Sequence, residues 1–103
     1  MAKSILQARR ECYVCRRWYN VSTLSGLEEH HILTGPLRSF AEREGLKVWL
    51  CHRHHNEPGF SAHFDPALAA ELKRTAQTHY EDTHGIHAHE QWMTTVGKDY
   101  QKC

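Results

Sequence analysis

Two short half-sites, Cys12-x2-Cys15 and Cys51-x2-His54, lie 35 residues apart in a chain of 103 residues. A two-residue gap lets both side chains of a tight turn point at one metal ion. Two such turns complete a tetrahedron, the closed geometry of structural Zn2+. A chain this short builds a thin hydrophobic core, and a metal staple offsets that weakness. Folding is therefore expected to depend on zinc held by Cys12, Cys15, Cys51 and His54. Within the second half-site, His52 and His55 compete with His54 for the fourth position. A disulfide pair is a rival use of the cysteines, and the lack of a secretory leader argues against it. A redox pair of Cys12 and Cys15 would leave Cys51 unexplained. Cys103 reads as a solvated thiol.

Histidine is the second anomaly. Ten of the residues are His, dispersed along the chain and not grouped as in a tag. His30, His31, His55 and His63 come from three separated segments. Imidazoles gathered this way can hold a divalent metal and leave positions open, the catalytic arrangement. His30 and His31 are neighbours on an expected strand, so they point to opposite faces: one can be a ligand while the other meets a substrate. A neutral His can also take a proton from water near neutral pH. Glu28 and Glu29 flank the pair. Either can orient a His as an outer acceptor, but an exposed strand carboxylate is the default reading.

Charge is uneven although the formal total is only +1. Residues 1–20 hold Lys3, Arg9, Arg10, Arg16 and Arg17 against Glu11 alone. From His63 onward four cations face six acids. The basic end, with Trp18 and Tyr19 among the arginines, suits a nucleic-acid backbone or solvates a small core. No apolar run approaches the ~18 residues of a membrane span, and the first residues lack a leader's apolar core. A cytoplasmic protein with no membrane partner is expected.

Along the chain, 3–11 reads as a lead-in and 12–19 as a compact turn. Residues 27–33 read as a strand preceded by a Ser25-Gly26 turn and broken by Thr34-Gly35-Pro36. A short helix over 37–44 is stopped by Gly45. Residues 46–51 form a second strand with Leu46, Val48 and Leu50 on one face, and 52–64 is irregular, broken at Pro58-Gly59. Asp65-Pro66 starts a helix that runs to about His84, with Leu68, Leu72, Ala76 and Tyr80 as its inner stripe and Gly85 as its stop. A last helix covers 88–96, with Trp92, Met93 and Val96 inward. His79, His84, His87 and His89 follow no ligand spacing.

The run CYVC…EHHIL…WLCHRHH resembles the HNH nuclease family, whose pattern is CxxC, a strand with (D/H)HI, then LCxx(C/H)H opening a short helix. The likeness covers about residues 12–64 and is nearest to small phage-type members with a later His-Phe, here His63-Phe64. It implies an α+β fold: a zinc-stapled ββα-metal, treble-clef-like core with C-terminal helices, one domain over 1–103, its helical part at about 65–97. It implies an endonuclease acting on DNA and leaving 3′-hydroxyl and 5′-phosphate ends. His31 takes the general-base position. His30, His55 and His63 take the catalytic-metal positions, for Mg2+, Mn2+, Ni2+ or Zn2+, with imidazole favouring the last three. Arg16, Arg17 and Arg38 are the expected nucleic-acid contacts. A protein partner or a homodimer would extend a small footprint, and a phage-encoded chain would work in the host cytoplasm. One element departs: residues 34–50 hold no Asn for the family's middle position, and Asn56 comes too late. Another residue then buttresses the loop, or the chain is a nucleic-acid-binding or protein-interaction module without cleavage, such as a phage regulator.

Overall fold

The computed structural model describes residues 3–57, 61–63 and 65–101. Pro58-Gly59, Phe64 and Cys103, named above, lie outside these residues. The fold is a small α+β arrangement of one two-stranded antiparallel sheet and several helices. In order these are α1 (Tyr13–Tyr19), β1 (Leu27–His31), a 3-10 turn (Gly35–Leu37), α2 (Arg38–Glu44), β2 (Lys47–Cys51), α3 (His52–Asn56), α4 (Pro66–His84) and α5 (Ala88–Val96). Among the described residues no helix is long and apolar enough to cross a membrane.

The expected turn at 12–19 is instead a helix from Tyr13. Cys12 caps it, its Sγ accepting from the Cys15 amide at 3.4 Å. That bond does the work of an N-cap oxygen, so the CxxC can open a helix. Asn20 ends α1 with φ 52°, a left-handed conformation Asn tolerates. β1 stops at His31, two residues short of the expected end, although Ile32 still donates to the Leu46 carbonyl at 3.0 Å. The stretch after Cys51, expected to be irregular, begins with α3.

The strands pair Leu27 with Cys51, Glu29 with Trp49, His30 with Val48 and His31 with Lys47. Alternation then sorts the sheet. Glu28, His30, Val48 and Leu50 share one face; Glu29, His31, Lys47 and Trp49 share the other. Leu46, Val48 and Leu50 are all buried, as their spacing predicts. Asp65 caps α4 by accepting from the Ala67 amide at 3.0 Å, and Leu68, Leu72, Ala76 and Tyr80 face inward. Trp92 of α5 is fully buried beside Tyr80 and Phe40, with ring centroids 5.5 and 6.4 Å away. Its indole N–H donates to the Lys98 carbonyl at 2.9 Å, satisfying the polar end of a core aromatic. Met93 and Val96 are half-buried against that core.

Residues 3–11 are tied to the outer edge of β2. The Ile5 amide donates to the Gly45 carbonyl, and the Trp49 amide donates to Gln7 Oε1, each at 2.9 Å. Gly45 ends α2 at φ +73°, and a Cβ there would sit 2.2 Å from the Lys3 carbonyl oxygen. Gly45→Ala therefore combines a left-handed strain with a backbone collision. It should cost more than about 1 kcal/mol, read as a lower urea midpoint, and an unchanged midpoint would refute this account.

Candidate metal centres

Cys12, at the start of α1, and Cys15 meet Cys51, the last residue of β2, and His54 on α3. His54 Nδ1 lies 3.6, 3.4 and 3.3 Å from the sulfurs of Cys12, Cys15 and Cys51, and the last two sulfurs are 3.8 Å apart. Zn–S bonds of about 2.3 Å and a Zn–N bond of about 2.0 Å in a tetrahedron set S···S near ~3.8 Å and S···N near ~3.5 Å. The four atoms thus lie close enough to hold one ion and have the spacing of a closed zinc site. The three cysteines are free, so the disulfide alternative is not realised. Burial pushes the Cys12 thiol up to about 12, so a thiolate there needs a cation beside it. Burial also lowers His54, which favours the neutral, ligating form. Tyr19 stacks on the His54 ring at 6.1 Å.

A second group forms on the Glu28/His30 face. His30, His55 and His63 offer ring nitrogens within 4.8 Å of one another. The His55 and His63 Nε2 atoms are 3.0 Å apart, and the His30 ring centroid is 5.1 and 4.9 Å from theirs. Local structure brings His63 back: the Ala62 and His63 amides donate to the His54 and His55 carbonyls at 2.8 and 3.3 Å. These bonds also satisfy two carbonyls at the end of α3. His55 Nδ1 lies 2.7 Å from Glu28 Oε1, so it carries the proton and leaves Nε2 bare towards the group. Asn56 donates to the same oxygen at 2.9 Å. The His30 Nδ1 atom is buried with no hydrogen-bond partner among the described residues. His30 is pushed down to about 3, by burial first and then by His55 and His63, so it stays neutral. An orphaned nitrogen, a carboxylate-set tautomer and a buried, neutral His30 fit a divalent ion. His30 is buried and His63 exposed, so one side of the group is open to solvent.

His31 lies on the opposite strand face. Its Nε2 is 2.8 Å from Glu42 Oε1 and 3.9 Å from Glu29. Lys47, directly across the ladder, donates to Glu42 at 2.7 Å and reaches Glu29 at 3.3 Å. Glu42 is held down to about 2, by its bond to Lys47 first and then by that to His31. A folded value below the ordinary carboxylate range means the unfolded chain binds the proton more readily. Glu42 thus adds stability above about pH 4.3, and this fades as pH falls towards 2. Between pH 5.5 and 3.5 the urea midpoint of the wild type should fall more steeply than that of Glu42→Gln; equal slopes would contradict the pairing.

The arginines divide differently from expectation. Arg16 is engaged within the fold: its Nε and Nη2 donate to Glu11 at 3.0 and 3.1 Å, and Nη1 donates to Asn20 at 2.9 Å. Arg17 makes a looser pair with Glu71 at 3.7 Å. Arg38 is exposed at the start of α2. In the sequence Glu28 reads as an exposed strand carboxylate or as an acceptor orienting the adjacent His pair; its place two residues before His30 puts it on that strand face, where its partner is His55. Glu42 and Lys47 had no such signal. Comparison with protein-family models, curated proteins and solved structures finds no match. The likeness drawn from the motifs rests on the residues alone.

Proposed function

We propose that this chain is a metal-dependent endonuclease of the HNH type, hydrolysing phosphodiester bonds in DNA, with β1, β2 and α3 as a ββα-metal core. The observation that carries the reading is the His30, His55 and His63 group, with His55 fixed by Glu28 and one side open, beside a closed Cys3His site. In this reading His30, His55 and His63 hold the catalytic metal, which when bound stabilises charge on the phosphate and the leaving oxygen. His31 is the general base. Glu42 orients its imidazole and stabilises the imidazolium that forms when it takes a proton. Lys47 keeps Glu42 ionised for that task. Arg38 is the exposed candidate for a phosphate contact.

A second reading is a zinc-stabilised binding module, for nucleic acid or for a protein, that does not cleave. It is favoured by the position of His31, buried on the face opposite His30 with Nε2 occupied by Glu42. Plasmid cleavage by purified protein with Mg2+, Mn2+, Ni2+ or Zn2+, and with none, separates the two. The nuclease reading expects metal-dependent nicking that falls about 10²–10⁴-fold in His31→Ala. Absence of cleavage in every metal would leave the binding module. Cleavage undiminished in His31→Ala would keep the nuclease and remove His31 as its base.

A further inference from the structure

The face of the sheet that carries Glu29, Lys47 and Trp49 opens into a cleft of about 420 Å³, its other wall formed by residues 3–10. Lys3, Arg9 and Arg10 line it and are exposed, and no ion pair within 4 Å ties any of the three to an acid among the described residues. The cleft's acid, Glu29, is engaged from inside by Lys47 at 3.3 Å. Its negative charge is thus partly answered before a ligand arrives, and the cleft keeps three exposed cations. The Arg10 guanidinium sits over the Trp49 ring, 4.4 Å from its centroid. That contact holds the cation against the wall with its N–H groups directed by a plane, not swept through solvent. Residues 3–10 keep their place through the Ile5–Gly45 and Trp49–Gln7 bonds, so the cations are carried on an anchored segment.

Fixed cations beside an aromatic ring, in a cleft whose lining acid Glu29 is already paired with Lys47, match a chain of phosphates carrying flat bases. We propose that this cleft binds the phosphodiester backbone of a nucleic-acid strand through Lys3, Arg9 and Arg10, with Trp49 as its aromatic wall. The proposal deepens the nuclease reading and rests on it for the ligand class: the strand is gripped on the His31 face of the sheet, and the three-histidine group lies on the other. It moves the main nucleic-acid contact from Arg16 and Arg17 to the segment before Cys12.

The test is fluorescence anisotropy of a labelled single-stranded DNA, titrated with zinc-loaded protein and no added metal, over a range of salt. Arg9→Gln/Arg10→Gln should lower affinity at least about tenfold at 0.1 M salt and reduce the salt slope by about 1.4, at ~0.7 per phosphate contact. Lys98→Gln, a control cation near the C-terminus, should change neither. In a Trp18→Phe background, DNA should alter Trp49 emission, since Trp92 is fully buried; the double variant should lose that response. An RNA of the same sequence identifies the sugar: equal affinity supports backbone recognition, and a preference assigns the strand type. An unaltered slope in the double variant, DNA binding with silent Trp49, or equal affinity for polyglutamate would overturn the cleft. Metal-dependent nicking that survives such a result leaves the nuclease reading standing. Cleft-dependent binding without cleavage in any metal removes the nuclease and keeps the cleft.

Discussion

Stripping the Cys3His metal is expected to unfold the chain. The site joins the start of α1 to the end of β2 and to α3, across the 35 residues that separate Cys15 from Cys51. Structural zinc binding in small finger peptides is worth about 10–16 kcal/mol at neutral pH, against a total stability of about 5–15 kcal/mol for an ordinary domain. Loss of the ion therefore exceeds or cancels the whole margin. The buried Cys12 would be left as a neutral thiol among three ligands no longer drawn together. Cys51→Ala should show it most directly, losing one equivalent of zinc together with the far-UV helical signal and the thermal transition. The same loss should follow chelation of the wild type. A Cys51→Ala protein that melts cooperatively near the wild-type temperature would refute the staple.

Substitution at the three-histidine group should do the opposite: abolish a metal site and leave the fold. His55→Ala removes the ligand whose tautomer Glu28 sets, and only His30 and His63 remain. A titration with Mn2+ or Ni2+ should lose one bound ion per chain, while the zinc content and melting temperature stay close to wild type; under the proposed nuclease reading, cleavage should drop to background. Glu28→Gln keeps the shape but weakens the bond to His55 Nδ1. It should reduce affinity for that ion about 10–100-fold, the usual cost of losing a carboxylate behind a ligating His. Equal affinity in wild type and His55→Ala would show that the group holds no ion.

Each departure from the sequence reading has a physical cause. Cys12-x2-Cys15 signals a metal turn, but turn and helix N-terminus have the same spacing. The Cys15 amide bonded to Cys12 Sγ decides for the helix. Arg16 and Arg17 looked free because Glu11 and Glu71 are not fixed by spacing as their partners; pairing across a fold has no period. Gln77 lies outside the expected inner stripe of α4, yet it is fully buried, donating to Glu81 and Asp99 and accepting from the Tyr100 amide. Nothing in a helical stripe announces where a later segment will return.

The sequence by itself determined the two Cys/His half-sites that come together, the helix start at Asp65-Pro66, the inner faces of β2 and α4, and the opposite orientation of His30 and His31. Those features follow from periods of two and of about four, and from turn chemistry, which act between near neighbours. Only the tertiary structure decided that His63 returns to His55, that Glu28 backs it, that Glu42 and Lys47 hold His31, and that residues 3–10 build a basic wall beside Trp49. These are contacts between distant segments, fixed by how the strands register and how the loops close over them.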